Sequence, residues 1–272
     1  MTDLATLDLP LEPPLGGQIL HRTDRATIIW GDCRDPAVIA QVPAGYGLLC
    51  TDPPYGMRYN SGRSNTFTEI PGDDGTVDWP KILAEWAGPE GTCTRGLKDK
   101  RHVYVFGYRP EHLAGPLRLG GSTELIWDKV GFGSGDLARP WGPQHEPITF
   151  GVHVKRRAGR AGGDGRLAAR LRQGSVLRYQ RPNAGSAVRH SNEKPVPLMA
   201  DLIESSTVRG DLVVDPCAGS GSTGVAAVLE GRRCFLVEIN RPDAERCVER
   251  VRVGGAHTAG LSAAVTGWPE RH

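Results

Sequence analysis

The chain has 272 residues, 24% of them charged, 36 glycines and a formal net charge of only +2. That length suits one large domain with a full core or two small ones, and one main domain is expected. No stretch approaches the roughly 18 apolar residues of a membrane span, and the opening MTDLATLDLPLEPPLGG has neither the basic start nor the apolar centre of a signal peptide. The six cysteines (Cys33, Cys50, Cys93, Cys217, Cys234, Cys247) form no C-x-x-C pair and no zinc spacing. They read as reduced, mostly buried thiols of a soluble cytoplasmic protein that holds no metal.

Residues 1–17 are expected to be a flexible tail. Candidate strands follow at Thr27–Trp30, leading into WGDCRD, and at Tyr46–Cys50, which leaves the sheet through TDPPYG. The next segment, MRYNSGRSNTFTEIPGDDGTVDW, is long and polar, a composition of functional or mobile loops. Further strands are predicted at Val103–Phe106, Glu124–Trp127 and Pro147–Val154. PVPLMADLIESST then sets Leu198, Met199, Leu202 and Ile203 on one helical face and begins with prolines suited to a first turn. A strand at Leu212–Val214 runs into DPCAGSGSTG, a helix STGVAAVLEG closes at Gly231, and Cys234–Ile239 is the last strand. RPDAERCVERV spaces Ala244, Cys247 and Val251 on one helical face, and residues 254–272 are expected to be a loose tail. Seven strands, several continuously apolar and interleaved with helices, define an α/β domain over residues 18–253 with a mostly parallel sheet.

Charge is unevenly placed. From Lys155 to Arg189 ten basic residues face the single acid Asp164, so this segment carries +9 and the rest of the chain −7. Such asymmetry points to a polyanionic partner met by one region; an Arg/Gly-rich solvated linker is the alternative.

Two strand exits carry chemistry. After Asp215, the glycines Gly219, Gly221 and Gly224 open a helix whose first amides can receive a negative group, and Glu238 ends the following strand, where an acid can accept from two ribose hydroxyls. The glycine spacing alone also fits a dinucleotide site or a tight structural turn. At the other exit, Asp52 and the Pro53 carbonyl can accept the two hydrogens of an exocyclic amine, while Tyr55 stacks on the ring that bears it. Proline fixes φ, so Pro53 and Pro54 present carbonyls in set directions. Two acceptors that draw the hydrogens of a conjugated amine from the ring plane free its lone pair for attack.

TDPPYG, DPCAGSGSTG and FLVEIN resemble motifs IV, I and II of the amino-methyltransferases, which move a methyl group from S-adenosylmethionine to adenine N6 or cytosine N4 in DNA. HSNEKPVPLMADLIESSTVRGDLVVDP resembles their motif X helix running into motif I, RPWGPQHEPITFGV their segment upstream of target recognition, and WGDCRD the acidic strand end at the cofactor adenine. The resemblance covers about Thr27 to Val251. Asp52 precedes Asp215 by 163 residues, the permuted motif order of the family's β group. It implies a Rossmann-like fold, S-adenosyl-L-methionine as cofactor, double-stranded DNA as partner, base flipping, and a tendency to form homodimers. RNA and protein methyltransferases place the Pro-Pro-Tyr element after the glycine loop and so match less well. A nicotinamide enzyme would leave TDPPYG unexplained, and a non-enzymatic DNA-binding protein would explain neither motif.

Carried over residue by residue, the resemblance makes Asp52, Pro53, Pro54 and Tyr55 the target-base site. Asp215, Pro216, Cys217, Gly219 and Gly221 form the cofactor loop, with Ser222 and Thr223 near the methionine carboxylate. Glu238 takes the ribose, and Asp32 with the Cys33 backbone takes the adenine; Asp32 as a cap for the helix near Asp35 is the alternative. Cys217 departs from the phenylalanine of many relatives. Lys155, Arg156, Arg157, Arg160, Arg170, Arg172, Arg178 and Arg181, within an insert at residues 155–189, are expected to meet DNA, with a salt-sensitive affinity. His190, Glu193 and Lys194 read either as the start of the next helix or as cofactor contacts, and His145 and Glu146 as supports of the fold. In the family, aspartate before Pro-Pro-Tyr goes mostly with adenine and serine with cytosine, so adenine N6 is expected, with cytosine N4 and RNA methylation as alternatives. No nuclease constellation is evident, and a short target and a solitary modification enzyme are expected.

Overall fold

The computed structural model describes residues 12–56, 71–88, 96–131, 141–155, 173–181 and 193–264. Among these residues nine strands form: β1 (Gln18–Arg22), β2 (Ala26–Trp30), β3 (Tyr46–Thr51), β4 (Leu97–Phe106), β5 (Leu119–Asp128), β6 (His145–His153), β7 (Val176–Arg178), β8 (Leu212–Asp215) and β9 (Arg233–Glu238). They form one sheet in the order β1-β2-β9-β8-β3-β4-β6-β5-β7. The helices are α1 (Pro36–Ile39), α2 (Trp79–Ala87), α3 (Pro110–Leu113), α4 (Val196–Ser206), α5 (Ser222–Leu229) and α6 (Arg241–Ala264).

The central strands β2, β9, β8, β3 and β4 are mutually parallel. All six residues of β3 are buried, because helices cover both faces of the sheet. On one face Leu198, Leu202, Ala226, Cys247 and Val251 of α4, α5 and α6 pack on Ile28, Leu48, Val213 and Leu236. On the other, Val38, Leu83, Trp86 and Leu113 of α1, α2 and α3 pack on Ile29, Leu49, Val214 and Phe235. Successive residues of a strand thus enter opposite cores, so the apolar runs in the sequence need no polar alternation.

From β3 the chain moves to β4 on one side, whereas from β8 it moves to β9 on the other. The order therefore reverses between β3 and β8, and a crevice opens beyond their carboxyl ends. Leu48 pairs with Val213 and Leu49 with Val214, which sets the exits at Asp52 and Asp215 side by side.

The seven predicted strands all form, but the sheet has two more, both at its edges. β1 is short and bulged, and β7 is three residues inside the basic segment; neither carries the long apolar run that marked the others. α2 was also not predicted. It starts where the polar loop ends, with the Asp78 carboxylate accepting from the Lys81 amide and Pro80 in the first turn. The loose tail expected from Gly254 is corrected in part, since α6 continues to Ala264.

Candidate active site

Four acids stand at the carboxyl ends of neighbouring strands: Asp32 after β2, Glu238 at the end of β9, Asp215 at the end of β8 and Asp52 after β3. Adjacent parallel strands end level, so residues far apart in sequence share one rim. The loop after β8 is shaped by close approach. Gly221 begins α5 at φ 83°, and a Cβ there would lie 2.5 Å from Cys247 Sγ. A Cβ on Gly224 would lie 2.4 Å from Leu236 Cδ1, so this glycine lets α5 settle on β9.

No side chain caps α5, which leaves its first amides for a ligand carboxylate. Gly219 has nothing within 4 Å of where a Cβ would stand, so the loop is open at that point. Glu238 Oε2 accepts from the Gly219 amide at 2.7 Å and Oε1 from the Asn240 amide at 2.8 Å. Each oxygen keeps a lone pair for another donor. Burial pushes the Glu238 carboxyl up to about 7 despite these two amides, and pushes Asp215 up to about 6 although Thr223 and the Cys217 amide donate to it.

Thr223, in the first turn of α5, donates its hydroxyl to Asp215 Oδ2 at 2.6 Å and so braces the loop. Ser222 lies 3.5 Å from Arg250 Nη1, which also donates to the Ser220 carbonyl and hydroxyl. Cys33 and Cys217 bring their sulfurs to 3.8 Å, joining the β2 exit to the glycine loop. The Cys33 carbonyl accepts from Trp86 Nε1 at 2.9 Å. Asp32 does not cap α1; Asp35 does, accepting from the Ala37 amide. Asp32 is instead held by Arg34 through Nε and Nη2. Burial would raise its carboxyl, but the Arg34 hydrogen bonds and charge hold it below the usual range.

At the β3 exit the Tyr55 ring lies over Gly107, where a Cβ would stand 1.9 Å from Tyr55 Cε1. Tyr108 meets it edge-on with centroids 6.2 Å apart, and the Tyr108 hydroxyl donates to the Pro54 carbonyl at 2.9 Å. The Tyr55 hydroxyl contacts Asp52 Oδ1 in a short hydrogen bond and Glu146 Oε1 at 2.9 Å. Lys194 Nζ lies 2.6 Å from Asp52 Oδ2 and 2.8 Å from Glu146 Oε1, and Lys129 Nζ lies 3.0 Å from Glu146 Oε2. Two carboxylates and two ammonium groups thus balance. Burial raises the Asp52 carboxyl and the Lys194 charge opposes this, whereas Glu146, flanked by both lysines, falls well below the usual range against its burial.

Lys129 and Arg250 did not stand out in the sequence; Lys194 read as the start of the next helix or as a cofactor contact rather than as a partner of Asp52, and Glu146 read only as a support of the fold. The one available signal was a lysine directly before the prolines that begin α4. Of the residues expected to meet DNA, Arg178 pairs with Asp128 at 3.0 Å while remaining 72% exposed, and the Lys155 amide donates to Asp99 at 2.8 Å. Burial pushes the Lys129 ammonium down and the nearby Arg181 charge adds to this, and Arg156, Arg157, Arg160, Arg170 and Arg172 lie outside the described residues, as does His190. Among the described residues no cluster of His, Cys, Asp and Glu could hold a metal, and no helix is long and apolar enough to cross a membrane.

A family model described as DNA methylase, covering the N6 and N4 methyltransferases, matches residues 47–247. The chain belongs to this N6/N4 DNA methylase family. It is 39% identical over 223 residues to the type II methyltransferase M2.DpnII of Streptococcus pneumoniae, covering 73% of this chain and 80% of that protein. It is 24% identical to the DNA adenine methyltransferase YhdJ of Escherichia coli (strain K12), over 86% of this chain and 85% of that protein. Among solved structures, the cytosine-N4-specific PvuII DNA methyltransferase shares the fold at a TM-score of 0.61 and 15% identity, over 87% of this chain and 90% of that one. The M1.HpyAVI–SAM complex does so at a TM-score of 0.53 and 18% identity, over 76% and 89%.

Proposed function

We propose that this chain transfers a methyl group from S-adenosylmethionine to the exocyclic amine of a base flipped out of double-stranded DNA, with adenine N6 as the target. The observation that carries this reading is the placement of the Asp52-Pro53-Pro54-Tyr55 exit beside the glycine loop, on adjacent parallel strands of one crevice. The donor half fits its ligand chemically: uncapped α5 amides suit a carboxylate, and Glu238 has lone pairs to spare for ribose hydroxyls. When bound, S-adenosylmethionine supplies an electrophilic sulfonium methyl.

The residues of the chain then have three tasks. The Asp52 carboxylate and the Pro53 carbonyl accept the amine hydrogens and turn the nitrogen lone pair toward the donor half. Tyr55 and Tyr108 provide ring surface that offsets the few kcal/mol needed to unstack the base. The amine nitrogen would form its bond to the methyl carbon as the sulfonium S–CH3 bond breaks and leaves a neutral thioether; the nitrogen would become cationic, and Asp52 would stabilise that charge until the amine proton passes to solvent. Most of the acceleration comes from alignment and fixed charge. Aspartate before Pro-Pro-Tyr favours adenine, and so does the naming of YhdJ as an adenine enzyme.

Incubation with labelled S-adenosylmethionine and unmethylated mixed-sequence DNA or RNA, followed by nucleoside chromatography, tests this. Label in N6-methyldeoxyadenosine is expected; N4-methyldeoxycytidine would shift the target, and transfer to RNA alone would overturn the DNA reading.

Binding of the cofactor should depend on pH. Ribose hydroxyls and a sulfonium cation favour ionised Glu238 and Asp215, whose carboxyls are raised to about 7 and about 6 in the free protein. Affinity is therefore full above pH 7 and lost as pH falls through these values. Calorimetry should give a Kd about tenfold weaker at pH 6 than at pH 8; equal values would remove Glu238 from the ribose site.

A further inference from the structure

We propose that Lys194 is a positioning residue that keeps Asp52 aimed and ionised for the target amine, with Glu146 as its counter-charge and as the alternative acceptor for the Tyr55 hydroxyl. The inference rests on the assignment of Asp52 to the target base.

Lys194 directly precedes Pro195, the N-cap of α4, and its side chain is only 9% exposed. A buried ammonium needs compensation, and Lys194 finds it in Asp52 Oδ2 and Glu146 Oε1, with the rings of Phe106 and Trp127 at 5.1 and 5.7 Å. One oxygen of Asp52 is therefore fixed by a cation. The other, Oδ1, is met by the Tyr55 hydroxyl. That hydroxyl has one hydrogen and two acceptors in reach, Asp52 Oδ1 and Glu146 Oε1. An incoming amine can claim Oδ1 while the Tyr55 hydrogen passes wholly to Glu146, so no buried donor is stranded.

The charges around Asp52 show why the lysine is required. Glu146 on β6 and Asp215 on β8 are acids, the Cys50 thiol on β3 is buried, and the Tyr55 and Tyr108 hydroxyls flank the β3 exit. Lys129, beyond β5, is spent on the far oxygen of Glu146. Lys194 alone among the described cations touches Asp52. Without it, Asp52 faces a like charge at close range in a partly dehydrated site. It would take up a proton, and a protonated carboxyl no longer presents two acceptors. A lysine that merely closes the fold would lower activity equally at every pH.

The test measures single-turnover methyl transfer to unmethylated mixed-sequence genomic DNA at saturating S-adenosylmethionine from pH 5.5 to 9. Lys194→Met is expected to shift the acid limb of the rate profile toward alkaline pH by at least one unit, with about a tenfold loss per unit below its midpoint, and to bind the cofactor as the wild type does. Adding Glu146→Gln removes the like charge, so the double variant should move the limb back and exceed Lys194→Met near neutral pH. Should Lys194→Met not fold, Glu146→Gln alone decides, because it is expected to move the limb toward acid pH. A uniform loss across pH, a limb that moves the other way, or a loss of cofactor affinity would overturn the inference. Asp52→Ala separates the two layers: if it retains transfer, the base-site reading fails, and if it is inactive while the Lys194 and Glu146 profiles stay at wild type, only the positioning role fails.

Discussion

Asp52→Ala is expected to slow methyl transfer by at least about 10³-fold while leaving the affinity for S-adenosylmethionine within about threefold. The asymmetry follows from the division of the crevice. Asp52 leaves β3, whereas the amide donors, Glu238 and the loop of Gly219 and Gly221 belong to β8, β9 and α5. The truncated protein should still fold, because Lys194 keeps Glu146 at 2.8 Å and Tyr55 keeps the same acceptor at 2.9 Å. Asp52→Asn is expected to be nearly as defective despite its matching shape. Its carboxamide oxygen must turn to the Lys194 ammonium, which leaves the NH2 group facing the position of the target amine, donor against donor. Rapid-quench kinetics for the rate and calorimetry for the cofactor measure the two quantities. A parallel loss of cofactor affinity would show that the two halves of the crevice are misassigned.

Glu238→Ala is expected to have the converse effect, weakening S-adenosylmethionine binding about 100-fold while the rate at saturating cofactor recovers to within about tenfold. Two charge-assisted hydrogen bonds to ribose hydroxyls, each contributing about 1.5–3 kcal/mol, cover that loss. The same carboxylate spans the amides of Gly219 and Asn240, so its removal also loosens the loop that receives the rest of the cofactor. Titration calorimetry reads the change directly. Tight binding by Glu238→Ala would return the acid to a purely structural role in joining the glycine loop to β9.

Much of this was legible before the structure because it is local. A continuous apolar run that ends in an acid marks a buried parallel strand and its exit, and Asp52, Asp215 and Glu238 all stand at such exits, the first two followed by proline. The face of α4 formed by Leu198, Met199, Leu202 and Ile203 is buried as its spacing indicated. β1 and β7 were not legible, because short edge strands are held by hydrogen bonds to a neighbour, and backbone pairing leaves little trace in side-chain pattern. The bond from the Thr223 hydroxyl to Asp215 was not legible either, because the rotation of a hydroxyl is decided by the nearest buried acceptor.

The chain alone thus determined the strand exits and the chemistry each can offer, since these depend on residues within a few positions of one another. Only the tertiary structure decided that Asp52, Lys129, Glu146 and Lys194, from four separate segments, form one neutral cluster around the amine site. The reason is physical. Hydrophobic burial is nearly indifferent to which charged side chains end at the rim, whereas strand order selects those that meet, and only their meeting makes a buried lysine and two buried acids stable together.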